Sequence, residues 1–154
     1  MRDDIKIVPY RNCHIKQAYE AEQICFSNPW TLGDFEDVMC NEATVFFTAV
    51  DCSYTDEDKV AGYVGMYRVL DEGQILNIAV LPQYRKMGVG SALLEKIIEF
   101  SRGNGITFLT LEVRESNTAA RALYEKFGFY QVGIRRDYYT APKENAILMN
   151  MDIK

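Results

Sequence analysis

The chain has 154 residues, 48% of them hydrophobic and 25% charged, with a formal net charge of −5. That is enough for one domain with its own core, whereas no apolar run approaches the ~20 residues of a membrane-spanning helix. The acidic balance argues against direct nucleic-acid binding and suits a basic protein substrate. Met1-Arg2-Asp3-Asp4 opens into an amphipathic strand rather than a secretory signal, so a cytoplasmic protein with no membrane partner is expected. Cys13, Cys25, Cys40 and Cys52 form no Cys-x-x-Cys pair and His14 is the sole histidine, so the expectation is no metal and four reduced, mostly packed thiols.

Periodicity predicts a strand over residues 5–8 and helices near 12–25 and 31–41, the second opened by Thr31 with Asp34 as a capping pair. Strands near 44–50, 59–68 and 74–81 precede a helix over 88–102. Asp51, Asp56, Glu57 and Asp58 read as a solvated hairpin loop. A strand over 107–113, a helix over 117–127 closed by Gly128, and strands near 130–136 and 146–153 complete the order. With no repeat or linker, this is a single α/β domain of α+β type, residues 1–154, with a mixed central sheet flanked by helices.

The segment Gln83-Tyr84-Arg85-Lys86-Met87-Gly88-Val89-Gly90-Ser91 joins an apolar strand, ended by Pro82, to a helix whose Leu93, Leu94, Ile97 and Ile98 recur at helical spacing. Unpaired N–H groups in the first turn, from Met87 to Ser91, and the positive end of the helix dipole favour a phosphate there. Gly90 is followed by Ser91-Ala92, which excludes a Walker loop, and Leu93 stands where a dinucleotide fingerprint needs a small residue.

The remaining pattern, Arg85-Lys86-Met87-Gly88-Val89-Gly90 after a strand, resembles the pyrophosphate loop of the GCN5-related N-acetyltransferase (GNAT) superfamily. Asn77-Ile78-Ala79-Val80, Leu111 to Asn117, Ala122 to Phe129, and Ile134 to Tyr139 follow in the order of its RimI-type ribosomal-protein alanine N-acetyltransferases. Cys25-Phe26-Ser27-Asn28-Pro29-Trp30-Thr31 and Glu144 to Met149 also resemble that branch, so the likeness covers nearly the whole chain. It implies a sheet splayed on either side of acetyl-CoA, the acetyl group meeting the backbone of Ile78, Ala79 and Val80. A fixed N–H such as that of Val80 would stabilise the developing oxyanion. Arg85, Lys86, Met87, Gly88, Val89, Gly90 and Ser91 would bind the cofactor's phosphates.

In Thr107 to Val113, alternation sets Leu109, Leu111 and Val113 on one face and Phe108, Thr110 and Glu112 on the other. A carboxylate near the end of so apolar a strand is expected to be partly desolvated, and the resemblance makes Glu112 the general base; the alternative is a strand-end glutamate that merely reaches solvent or pairs with Arg114 or Arg121. Tyr124 is the candidate acid. It stands seven positions after Asn117, ~10 Å along one helix, so Asn117 would bond the pantetheine amides and Tyr124 its sulfur. A phenol of pKa ~10 facing a thiolate of ~8.5 is a weak donor, so its hydrogen bond to sulfur would matter most.

Deprotonating an α-amine at pH 7 costs ~1.4 kcal/mol against ~4.6 for lysine, which one carboxylate manages far more easily. This agrees with the resemblance: direct transfer of the acetyl group of acetyl-CoA to a protein N-terminus, the alanine of a small-subunit ribosomal protein. Trp30 and Tyr138 would line the peptide entrance. Asn145 departs from the aspartate frequent in the branch, which puts a charge contact to the substrate terminus in doubt. A monomer or weak dimer is expected. Two alternatives stay open: an acetyltransferase of a small amine such as a polyamine or amino sugar, and a non-catalytic CoA-binding module.

Overall fold

The computed structural model describes residues 1–154. Seven strands form one mixed sheet: β1 (Ile5–Pro9), β2 (Thr44–Asp51), β3 (Lys59–Val69), β4 (Glu72–Val80), β5 (Phe108–Arg114), β6 (Tyr130–Thr140) and β7 (Lys143–Asp152). Their order is β1-β2-β3-β4-β5-β7-β6. Only β4 and β5 pair in parallel, because the connection between them is a crossover helix rather than a hairpin. The four helices are α1 (Ile15–Cys25), α2 (Leu32–Cys40), α3 (Val89–Gly103) and α4 (Thr118–Phe127).

Local chemistry sets the helix ends. Thr31 Oγ1 accepts from Asp34 N–H at 3.2 Å while Asp34 Oδ2 accepts from Thr31 N–H at 2.8 Å, the reciprocal cap expected from the sequence. Gly128 ends α4 at φ 104°, in the left-handed region that spares glycine a Cβ clash. The expected helix over 12–25 is divided: residues 12–14 make a 3-10 turn before α1 begins at Ile15.

Alternation along β2 and β3 feeds two cores. Phe47 and Val64 turn toward α3, whose Leu93, Leu94 and Ile97 are fully buried; Phe46 and Tyr63 turn toward Ala18 of α1 and Phe35 of α2. Truncating one such leucine to alanine costs about 2–5 kcal/mol.

Three expectations are corrected. β6 runs on to Thr140 past an irregularity between Arg135 and Tyr139, rather than ending near 136. Asp51 is buried at the end of β2, accepting from Ser53 and from the Tyr84 hydroxyl at 2.9 Å, so it is no solvated loop residue. Cys13, Cys40 and Cys52 are exposed free thiols and Cys25 is half-buried, because the first three fall on turns and a helix end.

Candidate active site

The site begins where two strands part. The parallel ladder of β4 and β5 consists of Glu72↔Phe108, Gly73↔Leu109 and Gln74↔Thr110, after which β5 continues beside β7 while β4 stays with β3. The register of β3 and β4 slips between Gly65 and Met66, leaving Leu76 as an extra residue. Beyond that bulge Val80 stands opposite Gly62, and Leu81 N–H donates to Ala61 O at 2.9 Å. Val80 and Ile78 therefore occupy non-hydrogen-bonded pairs, and their N–H and C=O groups point away from β3 into the gap that β5 has left. An extended chain bearing amides can pair with such an edge.

A cavity of about 700 Å³ fills this opening, bordered by Ile78, Glu112, Asn117, Tyr124, Trp30 and Tyr138. Six expected site residues are thus brought together. Ala79, Val80 and residues 85–91 do not border it. Ala79 and Val89 are each 1% exposed and their side chains pack in the core. A separate cavity of about 770 Å³ between α2, β2 and α3 contains none of the expected site residues.

Glu112 follows the alternation of β5, with its neighbours Leu111 and Val113 buried in the α3-side core. Its side chain is 14% exposed and its carboxylate lies 2.8 Å from Arg135 Nε. Neither alternative partner holds it: Arg114 pairs with Glu144 at 3.2 Å, and Arg121 donates to Glu115 O at 2.9 Å. The Glu112 carboxylate facing Tyr138 pushes that phenol up in pKa, and burial pushes Tyr139 up to about 12.

Tyr124 is 8% exposed and packs edge-on to Phe129 with centroids 5.7 Å apart. Burial, and secondarily Tyr139, raises its pKa above the ordinary 10.0. The hydroxyl therefore stays protonated and can donate a hydrogen bond, while full ionisation is costly. Asn117 caps α4, its Oδ1 accepting from Ala120 N–H at 3.2 Å, which leaves its amide NH₂ for a ligand.

At the start of α3, Lys86 (φ 61°) and Gly88 (φ 82°) are both left-handed and make the tight turn that aims the first N–H groups outward. A Cβ at Gly90 would lie 3.5 Å from Leu123 Cδ2 and 3.8 Å from Val80 Cγ2, so this turn packs where α4 meets the end of β4. Arg85 turns inward instead, its Nε donating to Val80 O at 3.0 Å. Trp30 packs on Phe35 and Phe46, with centroids 5.4 and 6.0 Å away, while bordering the cavity.

Several residues of this site carry no sequence signal of their role. Arg114 bridges the two flanks of the opening, donating to Ser27 Oγ at 3.2 Å, Ala141 O at 3.1 Å and Pro142 O at 3.0 Å, with its guanidinium 4.2 Å over the Tyr139 ring. Asn145 Oδ1 accepts from Asp137 N–H at 2.9 Å and secures the irregular stretch of β6. Glu22, buried in α1, also lines the cavity; its spacing from Ala18 puts it on the buried helical face without revealing a role there. Away from the site, Cys13, His14 and Asp58 converge within 4.8 Å. His14 Nδ1 accepts from Arg11 N–H at 3.1 Å and Nε2 faces Asp58 at 3.0 Å, so both ring nitrogens are engaged.

Residues 15–129 match the acetyltransferase (GNAT) family. The [ribosomal protein bS18]-alanine N-acetyltransferase of Escherichia coli strain K12 is 40% identical over 138 residues, covering 88% of this chain and 89% of that protein. The corresponding enzyme of Haemophilus influenzae is 38% identical over 140 residues, covering 89% and 91%. Among solved structures, the ribosomal-protein-S18-alanine N-acetyltransferase of E. coli superposes with TM-score 0.86 at 38% identity, covering 97% of this chain and 94% of that one. Arabidopsis thaliana NAA60, solved with acetyl-CoA, shares the fold with TM-score 0.89 at 21% identity and 97% and 98% coverage. A splayed sheet, a glycine turn opening α3 and matches over most of the chain lead to one conclusion: this chain belongs to the GNAT family of N-acetyltransferases.

Proposed function

We propose that this chain transfers the acetyl group of acetyl-CoA directly to a protein N-terminus, with an alanine-initiated ribosomal protein as acceptor. The observation that carries this reading is the gap between β4 and β5, with the Ile78 and Val80 backbone on one side and Glu112 on the other. The substrate class follows the E. coli relative, named for the alanine of bS18.

Bound acetyl-CoA supplies a thioester carbonyl and a thiolate leaving group. The first-turn N–H groups of α3 hold its phosphates, and the Asn117 NH₂ holds the pantetheine arm. Glu112 takes a proton from the attacking amine as the C–N bond forms. Val80 N–H donates to the carbonyl oxygen as negative charge develops there, and the Tyr124 hydroxyl donates to the sulfur as the C–S bond breaks. Tyr138 and Trp30 flank the incoming peptide. Incubation with acetyl-CoA and an alanine-initiated peptide, followed for free thiol and peptide mass, tests the reading directly. Thiol release matched by a single acetyl on the peptide supports it, and no turnover of any amine supports a binding module instead.

A further inference from the structure

Glu22 is a buried carboxylate that the transfer scheme leaves unused. It is 1% exposed on the face of α1 that also buries Ala18, yet no lysine, arginine or histidine pairs with it. Its contacts are neutral donors from three directions. Trp30 N–H reaches Oε1 at 3.2 Å, Asn77 Nδ2 reaches Oε1 at 3.1 Å and Oε2 at 3.3 Å, and the Tyr63 hydroxyl donates to Oε2. Burial pushes its pKa up, while the bonds from Tyr63 and Trp30 pull it back. Donors on every side fit an ionised acceptor rather than a neutral amide.

The position of these donors gives the cluster a purpose. Asn77 follows the bulged Leu76 of β4, and Trp30 ends the loop of residues 26–30 that borders the acceptor side of the cavity. At its other end the same loop is bound through Ser27 to Ala141 O and Arg114. Glu22 thus ties one end of a cavity wall to the strand whose backbone faces the gap, and Arg114 ties the other.

We propose that Glu22 is a positioning residue that seats the loop of residues 26–30 on the β4 bulge and so sets affinity for the acceptor peptide. The proposal rests on the peptide-acceptor reading. Its oxygens are spent on protein donors, so it acts through Trp30 and Asn77 rather than on the reacting atoms. In Glu22→Gln an NH₂ must face at least one of these donors, and the loop loosens.

Two readouts test this. In steady-state assays with an alanine-initiated peptide, Glu22→Gln should raise the peptide KM about 10-fold while kcat and the acetyl-CoA KM stay within about 2-fold. Trp30 is the only tryptophan, so acrylamide quenching of its emission reads the loop without any turnover, and quenching should increase in the variant. Tyr63→Phe removes a single donor and should move both readouts less, in the same direction. It carries the test alone if Glu22→Gln does not fold. Quenching and peptide KM like those of the wild type in the folded variant would overturn the proposal, as would a kcat loss with unchanged KM. A wild type that acetylates no peptide refutes the functional reading instead, and the quenching result still stands.

Discussion

Arg135 Nε lies 2.8 Å from the Glu112 carboxylate, although their strands, β6 and β5, are separated by β7. The guanidinium reaches across the sheet face to a carboxylate that is 14% exposed and borders the cavity.

If Glu112 is the base, Glu112→Gln lowers kcat by about 10²-fold or more with acetyl-CoA affinity near normal. The loss shrinks as pH rises, because an α-amine of pKa ~8 increasingly deprotonates unaided. Arg135 is mostly exposed, and such pairs are worth about 0.2–1 kcal/mol, so Arg135→Ala should cost less than about 5-fold. Steady-state rates from pH 6 to 9 check both.

Tyr124→Phe should lower kcat by about 10²-fold, the usual loss of one donor to a developing anion, with little effect on peptide KM. Because burial raises the Tyr124 pKa, the donating protonated form persists upward in pH. The wild-type kcat should therefore show no alkaline fall below its ordinary value of 10.0. Single-turnover rates across that range measure it.

Gly88 has φ 82°, which a β-branched residue adopts only with strain, and it stands at the mouth of the first turn of α3. Gly88→Val should weaken acetyl-CoA binding severely, whereas Lys86→Ala should weaken it modestly since the backbone provides the cradle. Calorimetric titration with acetyl-CoA separates the two.

Glu144 accepts from Ser116 N–H at 2.6 Å and pairs with Arg114 at 3.2 Å. Bonds from Ser116 foremost, and then Arg114, lower its pKa below the ordinary 4.5. A depressed carboxylate contributes stability that is present above that value and lost as pH falls through the folded one. Glu144→Gln should therefore lower Tm at pH 7, and its deficit should fade below about pH 4.5. Thermal melts at a series of pH values check the sign.

Local patterns read well from the chain: the Thr31–Asp34 cap, the alternation that turns Glu112 away from the α3-side core, and the glycine turn before α3 all appear in the structure. What escaped depended on distant segments. β6 runs past Arg136 because Tyr139 and Thr140 resume pairing with Glu144 and Lys143 of β7 beyond an irregularity that Asn145 bridges to the Asp137 N–H, which no strand period encodes. Arg135 meets Glu112 through pairings distant in sequence: β7 sets Leu148 beside Glu112 and Ala146 beside Arg135, and the long guanidinium spans the strand between them. Glu22 resembles any helix glutamate until β3 and β4 bring Tyr63 and Asn77 to it.

Tandem mass spectrometry of an alanine-initiated peptide that also contains lysine, after incubation with acetyl-CoA, tests the central claim most directly. Because one carboxylate removes a proton from an α-amine far more easily than from a lysine, the acetyl group should be found on the N-terminus, and blocking that amine should abolish turnover. Acetylation of the lysine side chain, or turnover confined to free polyamines and amino sugars, would contradict the account.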